Sequence, residues 1–160
     1  MRKSIHLKSY FELFKKTWMT VMNELNIDFD VKGFSDDMQI KAFVIDFDTI
    51  FNNLISNSIY AIKVKKSTIN RKIRIDGKLE DEYLSIIISD SGKGLDKQYQ
   101  NNPSVIFNAF ESSRCNKNGE KIGTGLGLYI VKATINEYKG SSVQVLYQAE
   151  GFAIKIMFKI

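Results

Sequence analysis

Cysteine, histidine and proline each occur once, as Cys115, His6 and Pro103. A lone cysteine forms no internal disulfide, and with a lone histidine it makes no cluster for zinc. One histidine also leaves little material for a histidine metal site or a Ser-His-Asp triad. With one proline and no Gly/Ser-rich linker, nothing marks an internal boundary, and 160 residues suit one ordinary domain. No internal repeat is present. No apolar run reaches the ~18 residues of a membrane span and no signal peptide opens the chain. No membrane contact is therefore expected of this chain, and the expected compartment is the cytoplasm.

What is present is a modest basic excess. Lys and Arg number 23 against 18 Asp and Glu, a net charge of +5. Lys63, Lys65, Lys66, Arg71, Lys72 and Arg74 cluster with no acid between them. Such a balance serves solubility or draws an anion such as a nucleotide. No stacking platform or groove-reading motif accompanies the cluster, so nucleic acid is not the expected partner.

From Leu7 to Leu25 apolar residues recur at three- and four-residue steps, which predicts an amphipathic helix. Ile27 to Val31 alternates as a half-buried strand does, and Met38 to Ile45 reads as a second extended stretch. Asp46 or Asp48 is placed to cap a helix from about Thr49 to Val64. Two strands, Lys72 to Leu79 and Tyr83 to Ser89, flank an acidic turn. Residues 91 to 124 form a long Gly/Asn/Ser/Lys-bearing stretch with an apolar island, Val105 to Phe110; a loop of that length is functional or disordered. A helix from Gly125 to Tyr138, ended by Gly140, and strands Ser142 to Tyr147 and Phe152 to Phe158 complete the chain. Antiparallel hairpins with interspersed helices imply an α+β two-layer sandwich.

Three pieces carry possible chemistry. Asn53 and Asn57 lie four apart, on one face of a helix whose other face is apolar. An amide oxygen is a hard, neutral ligand, so the pair is suited to a shared polar target, although a solvated stripe looks the same. Asp90 follows the apolar strand Leu84 to Ile88 and precedes Gly92 and Gly94. A carboxylate there can accept from an exocyclic amine while the glycines let backbone approach a flat ligand; a plain turn is the alternative. Gly123, Gly125 and Gly127 alternate with Thr124 and Leu126 ahead of a helix, and their N–H groups with the helix terminus form an anion cradle. The spacing excludes a P-loop and does not suit a dinucleotide fold. A flexible hinge is the alternative.

In this order and at these separations, the three pieces resemble the N, G1 and G2 boxes of the GHKL superfamily, the Bergerat-fold ATPases. The segment Ile106 to Arg114 resembles the F box of sensor histidine kinases. The likeness covers about residues 8 to 158. It implies a mixed, mostly antiparallel sheet packed on helices, a domain over residues 9–160 preceded by a junction stub over 1–8, and a mobile ATP lid at about 96–122.

The resemblance further implies ATP and Mg²⁺ as ligands. Asn57 matches the asparagine that holds Mg²⁺, and Asp90 the aspartate that reads the adenine amine. Gly92 and Gly94 match the adenine-side wall. Gly123, Gly125 and Gly127, with Thr124 and Leu126, match the loop around the phosphates. Phe107 and Phe110 would anchor the lid by packing into apolar surface. Tyr60 stands where many histidine kinases carry Lys or Arg, so the phosphate-facing charge is expected from Lys63, Arg114 or Lys121. Asn53 replaces the water-activating glutamate of gyrase-like, chaperone and mismatch-repair members. An amide takes no proton at neutral pH, which favours phosphotransfer, with Asn53 and Asn57 as the catalytic pair, over hydrolysis.

A kinase of this kind needs a phosphoacceptor histidine on a dimerising helical hairpin, and no acidic residue follows His6 directly as that motif would have. The hairpin is expected in the same full-length protein, with a response regulator downstream, and the chain is expected to be the catalytic part of a sensor kinase, cytoplasmic even where the sensor is membrane-bound. The alternatives are a stand-alone ATP-binding switch within a larger regulatory protein and, more remotely, a serine kinase acting on an anti-sigma-type partner.

Overall fold

The computed structural model describes residues 1–112, 118 and 123–160. Arg114, Lys121 and Cys115, and much of the expected lid, lie outside the described residues.

Among the described residues, five strands form the main sheet in the order β2-β4-β5-β7-β6. They are β2 (Asp28–Lys32), β4 (Lys72–Glu80), β5 (Tyr83–Asp90), β6 (Ser142–Leu146) and β7 (Phe152–Lys159). β2 runs parallel to β4, and the other neighbours are antiparallel. Helices α1 (Leu7–Glu24), α2 (Val44–Val64) and α3 (Gly127–Asn136) make the second layer. The α+β sandwich is thus present, with a mixed and mostly antiparallel sheet.

Alternation explains which sheet face is covered. Ile73 and Ile75 on β4, Leu84, Ile86 and Ile88 on β5, and Ile154, Ile156 and Phe158 on β7 are buried. Across the layer, Phe47, Ile50, Phe51, Leu54 and Ile55 bury one face of α2, at helical spacing. Phe11 on α1 meets Phe51 edge-to-face at 4.9 Å, and Phe47 stacks on Phe158 at 5.3 Å.

Three local expectations are corrected. A strand, β1 (Lys3–His6), precedes α1 and pairs antiparallel with β3 (Gln39–Ala42) in a separate two-stranded sheet. Second, α2 starts at Val44, where extended chain to Ile45 was expected. Val44 and Ile45 are exposed in the first turn, so their apolar character mimics a strand. Third, neither Asp46 nor Asp48 caps α2. Phe43 occupies the cap position, its N–H donating to the Tyr138 hydroxyl at 3.1 Å. Asp46 instead accepts from Tyr138 (2.6 Å) and Asp48 from Tyr10 (2.9 Å). Tertiary partners have displaced the local capping geometry.

Candidate functional site

The layers leave a cavity of about 460 Å³ between α2, the end of β5 and the start of α3. Asn53, Asn57, Asp90, Gly94, Gly123, Thr124, Gly125 and Gly127 all line it. Segments far apart in the sequence therefore share one space. Helical periodicity turns the polar face of α2 inward, and the pleat of β5 delivers Asp90 at the strand's end.

Asp90 is 8% exposed. Its Oδ1 accepts the Gly92 N–H at 2.8 Å, and the buried Ser58 hydroxyl donates to the carboxylate. Burial nevertheless dominates and pushes the acid up to about 6, against these two bonds and the attraction of Lys65. At neutral pH the group is ionised, an acceptor aimed into a partly apolar cavity that Ile88, Leu95 and Ile154 also line.

Gly92 and Leu126, also expected at the site, are not among the residues that line the cavity. A β-carbon on Gly92 would come within 2.6 Å of the Ala61 main chain, so glycine is what lets the loop after β5 lie against α2. Leu126 is the residue preceding α3, and its carbonyl accepts the Ile130 N–H at 2.8 Å. Gly125 has φ of +66° and approaches the Phe110 main chain so closely that a β-carbon would sit 2.6 Å away. The loop between Gly123 and Gly127 is held in a shape that only glycine adopts freely.

Phe107 is buried, as expected of a lid anchor, but Phe110 is 75% exposed with φ of +66°. The positive φ turns its main chain, and not its ring, towards Gly125. Lys63, an expected source of charge, is exposed near the end of α2.

Several lining residues escape the sequence reading. Lys93 pairs with Asp96 at 3.0 Å, and the Tyr99 hydroxyl donates to Glu111 at 2.9 Å. Burial and the Glu111 charge hold the Tyr99 phenol up at about 12, so it stays a donor. The motif around Lys93 was visible, but its pairing with Asp96 and its place in the cavity depend on the fold of the loop.

The donor chemistry suits a magnesium ion bound mainly through a ligand's own phosphates. No group of three or more His, Cys, Asp or Glu able to hold a metal occurs among the described residues. The Asn57 amide, which lines the cavity, has a single hard oxygen to offer. Mg²⁺ characteristically keeps waters and substrate phosphates in its shell with one or two protein oxygens.

Comparison with known proteins accords with this geometry. The profile of the family described as histidine kinase-, DNA gyrase B-, and HSP90-like ATPase matches residues 44–159. The sensor histidine kinase FlgS of Helicobacter pylori is 30% identical over 135 residues, 82% of this chain and 31% of FlgS. The catalytic domain of histidine kinase ThkA superposes with a TM-score of 0.81 at 19% identity, over 99% of this chain and 97% of that one. ThkA in complex with the response regulator protein TrrA gives 0.75 at 18% identity, over 99% of this chain and 41% of that one. These likenesses at low identity show the fold. The chain spans about a third of the length of the curated relatives it matches, 31% and 35% for the first two.

Proposed function

Because this chain belongs to the histidine kinase-, DNA gyrase B- and HSP90-like ATPase family, we propose that it binds Mg-ATP and donates the γ-phosphate to a histidine. That histidine would lie on a dimerisation and phosphoacceptor hairpin elsewhere in the full-length protein, with a response regulator as the next acceptor. The observation that carries the reading is the convergence of Asn57, Asp90 and the Gly123–Gly127 loop on one cavity.

Each group has a defined task. The Asp90 carboxylate accepts from the adenine exocyclic amine, which sets the base and the direction of the phosphate chain. The N–H groups between Gly123 and Gly127, at the positive end of α3, face the phosphates. Asn57 would hold Mg²⁺, which supplies charge neutralisation on the phosphates. Arg114 and Lys121 are further candidates for phosphate contact. Asn53 lines the same space, but its Nδ2 donates to the Thr49 carbonyl at 2.7 Å and it has no basic oxygen to take a proton from water. Phosphoryl transfer demands positioning and charge neutralisation above all, and both are available without a base.

His6 is the last residue of β1 and precedes α1; it is therefore not carried on a helical hairpin, which supports an acceptor histidine outside this chain. FlgS being named a sensor histidine kinase, and ThkA being solved with a response regulator, support the same assignment of partners. Among the described residues no helix is long and apolar enough to cross a membrane; a cytoplasmic location is part of the proposal.

The test has two stages. A non-hydrolysable ATP analogue is titrated by calorimetry with and without Mg²⁺, beside Asp90→Ala. Then radiolabelled ATP is supplied with the phosphoacceptor hairpin added in trans. Mg-dependent binding that Asp90→Ala abolishes, followed by acid-labile, base-stable label on the hairpin, is expected. Absence of binding at millimolar nucleotide, or release of free phosphate with no label transferred, overturns the reading.

A further inference from the structure

For a site that takes a polyanion, the cavity has an adverse charge inventory. Its described lining includes three carboxylates, Asp90, Asp96 and Glu111, but one cation, Lys93. Glu111 is engaged by the Tyr99 hydroxyl, and both Asp96 oxygens face the Lys93 ammonium, at 3.0 and 3.2 Å. Lys93 is firmly placed at its main chain, where its N–H donates to the Ala61 carbonyl at 3.0 Å. Its ammonium lies 6.0 Å from the centre of the Tyr60 ring. Tyr60 follows Asn57 by three residues, one helical turn, and Lys93 follows Asp90 by three. Lys93, Tyr60, the carboxylate proposed to read the base and the amide proposed to hold the metal thus all line one cavity.

Resting on the nucleotide reading above, we propose that Lys93 is a further binding residue for the polyphosphate, with Asp96 as its partner until nucleotide arrives. The argument is electrostatic. A triphosphate brings about four negative charges where Asp96 brings one, and at similar distance the attraction scales with charge. The lysine stem is flexible and its head carries three donors, so the ammonium can turn from a carboxylate to phosphate oxygens without moving its main chain. The Lys93–Asp96 pair is partly shielded, at 28% and 29% side-chain exposure, so the exchange takes place away from full solvent screening.

The test compares ligands that differ in phosphate count. A non-hydrolysable ATP analogue, ADP and adenosine are titrated into the intact chain and into Lys93→Met, Lys93→Arg and Asp96→Asn. Lys93→Met is expected to weaken the ATP analogue about tenfold, the scale of one lost charged hydrogen bond, and adenosine by less than about twofold. Lys93→Arg should recover most of the loss, and Asp96→Asn, by removing the competitor, should tighten the ATP analogue. An equal loss for adenosine and the ATP analogue, or no loss at all, overturns the proposal. If the unmutated chain binds neither ligand, the nucleotide reading itself has failed. If it binds both and Lys93→Met does not discriminate, only the role of Lys93 falls.

Discussion

The Asn53 side chain brings together two helices that are far apart in the sequence, α2 and α3. Its Nδ2 donates to the Thr49 carbonyl within α2, and its Oδ1 lies 3.1 Å from where a β-carbon on Gly127 would stand, at the start of α3. The first turn of α3 is thus in contact with the polar face of α2, across the cavity.

This contact separates two glycine substitutions. Gly127→Ala meets the end of a side chain, which can shift by a few tenths of an ångström, and is expected to weaken ATP-analogue binding by about threefold at most. Gly125→Ala meets the Phe110 main chain and must hold a left-handed conformation, a cost of about 1–2 kcal/mol before the clash is counted. It should weaken binding more than tenfold, and the strain should also lower the melting temperature by several degrees, where Gly127→Ala leaves it nearly unchanged. Calorimetry and thermal melts on the two variants check the ranking; equal losses would contradict it.

Asp90 sets two opposing pH dependences. Its acid is raised in the folded chain from 3.8 to about 6, so the native state binds this proton more tightly than the unfolded chain does. Its contribution to stability is therefore fully present below about pH 4 and lost as pH rises through 6, about 3 kcal/mol in all. Nucleotide binding runs the other way, because only the ionised carboxylate accepts from the amine. Urea melts at pH 4.5 and 7 should show Asp90→Asn removing that share of the pH response. Calorimetry at pH 5 and 7 should show the wild-type chain binding more tightly at pH 7.

Asn57→Ala is expected to remove the Mg²⁺ dependence of binding while leaving the metal-free affinity within about twofold, since the amide acts through the ion. Titrations of the analogue with Mg²⁺ and with EDTA give the ratio directly. A ratio unchanged from the wild type would assign the metal to other residues.

Tyr138→Phe removes a hydroxyl that both accepts the Phe43 N–H and donates to Asp46. The expected loss is about 1–3 kcal/mol by urea unfolding, because the N-terminus of α2 loses a partner that no capping side chain replaces. The phenol is held up at about 12 by burial and by Asp46, so it stays protonated and the loss should be flat from pH 6 to 9. Nucleotide affinity, read in parallel, should stay within about twofold.

The polar half of the cavity was legible because its instructions are local. Asn53 and Asn57 are one helical turn apart, and Asp90 and the glycine loop announce themselves by strand ends and residue type. The rest is written in pairings through space. Asp96 is only three residues from Lys93, but no helix or strand there fixes the contact of ammonium and carboxylate beside Tyr60, and nothing near Tyr99 points to Glu111. The strand β1 has four residues and only Ile5 buried, too short a pattern to register, and it exists because β3 lies beside it. Asp46 and Asp48 misled for the same reason: as capping residues they were plausible, but two tyrosines from α1 and from beyond α3 claimed them.

The position of β7 orders events during synthesis. This strand is the last element described, yet it sits inside the sheet, between β5 and β6. Until it emerges from the ribosome, β5 has an open edge carrying Leu84, Ile86 and Ile88, and β6 has no sheet to join. The nascent chain must hold that sticky edge apart from its neighbours, and the sheet is completed only when β7 pairs with β5 and brings β6 in on its other side.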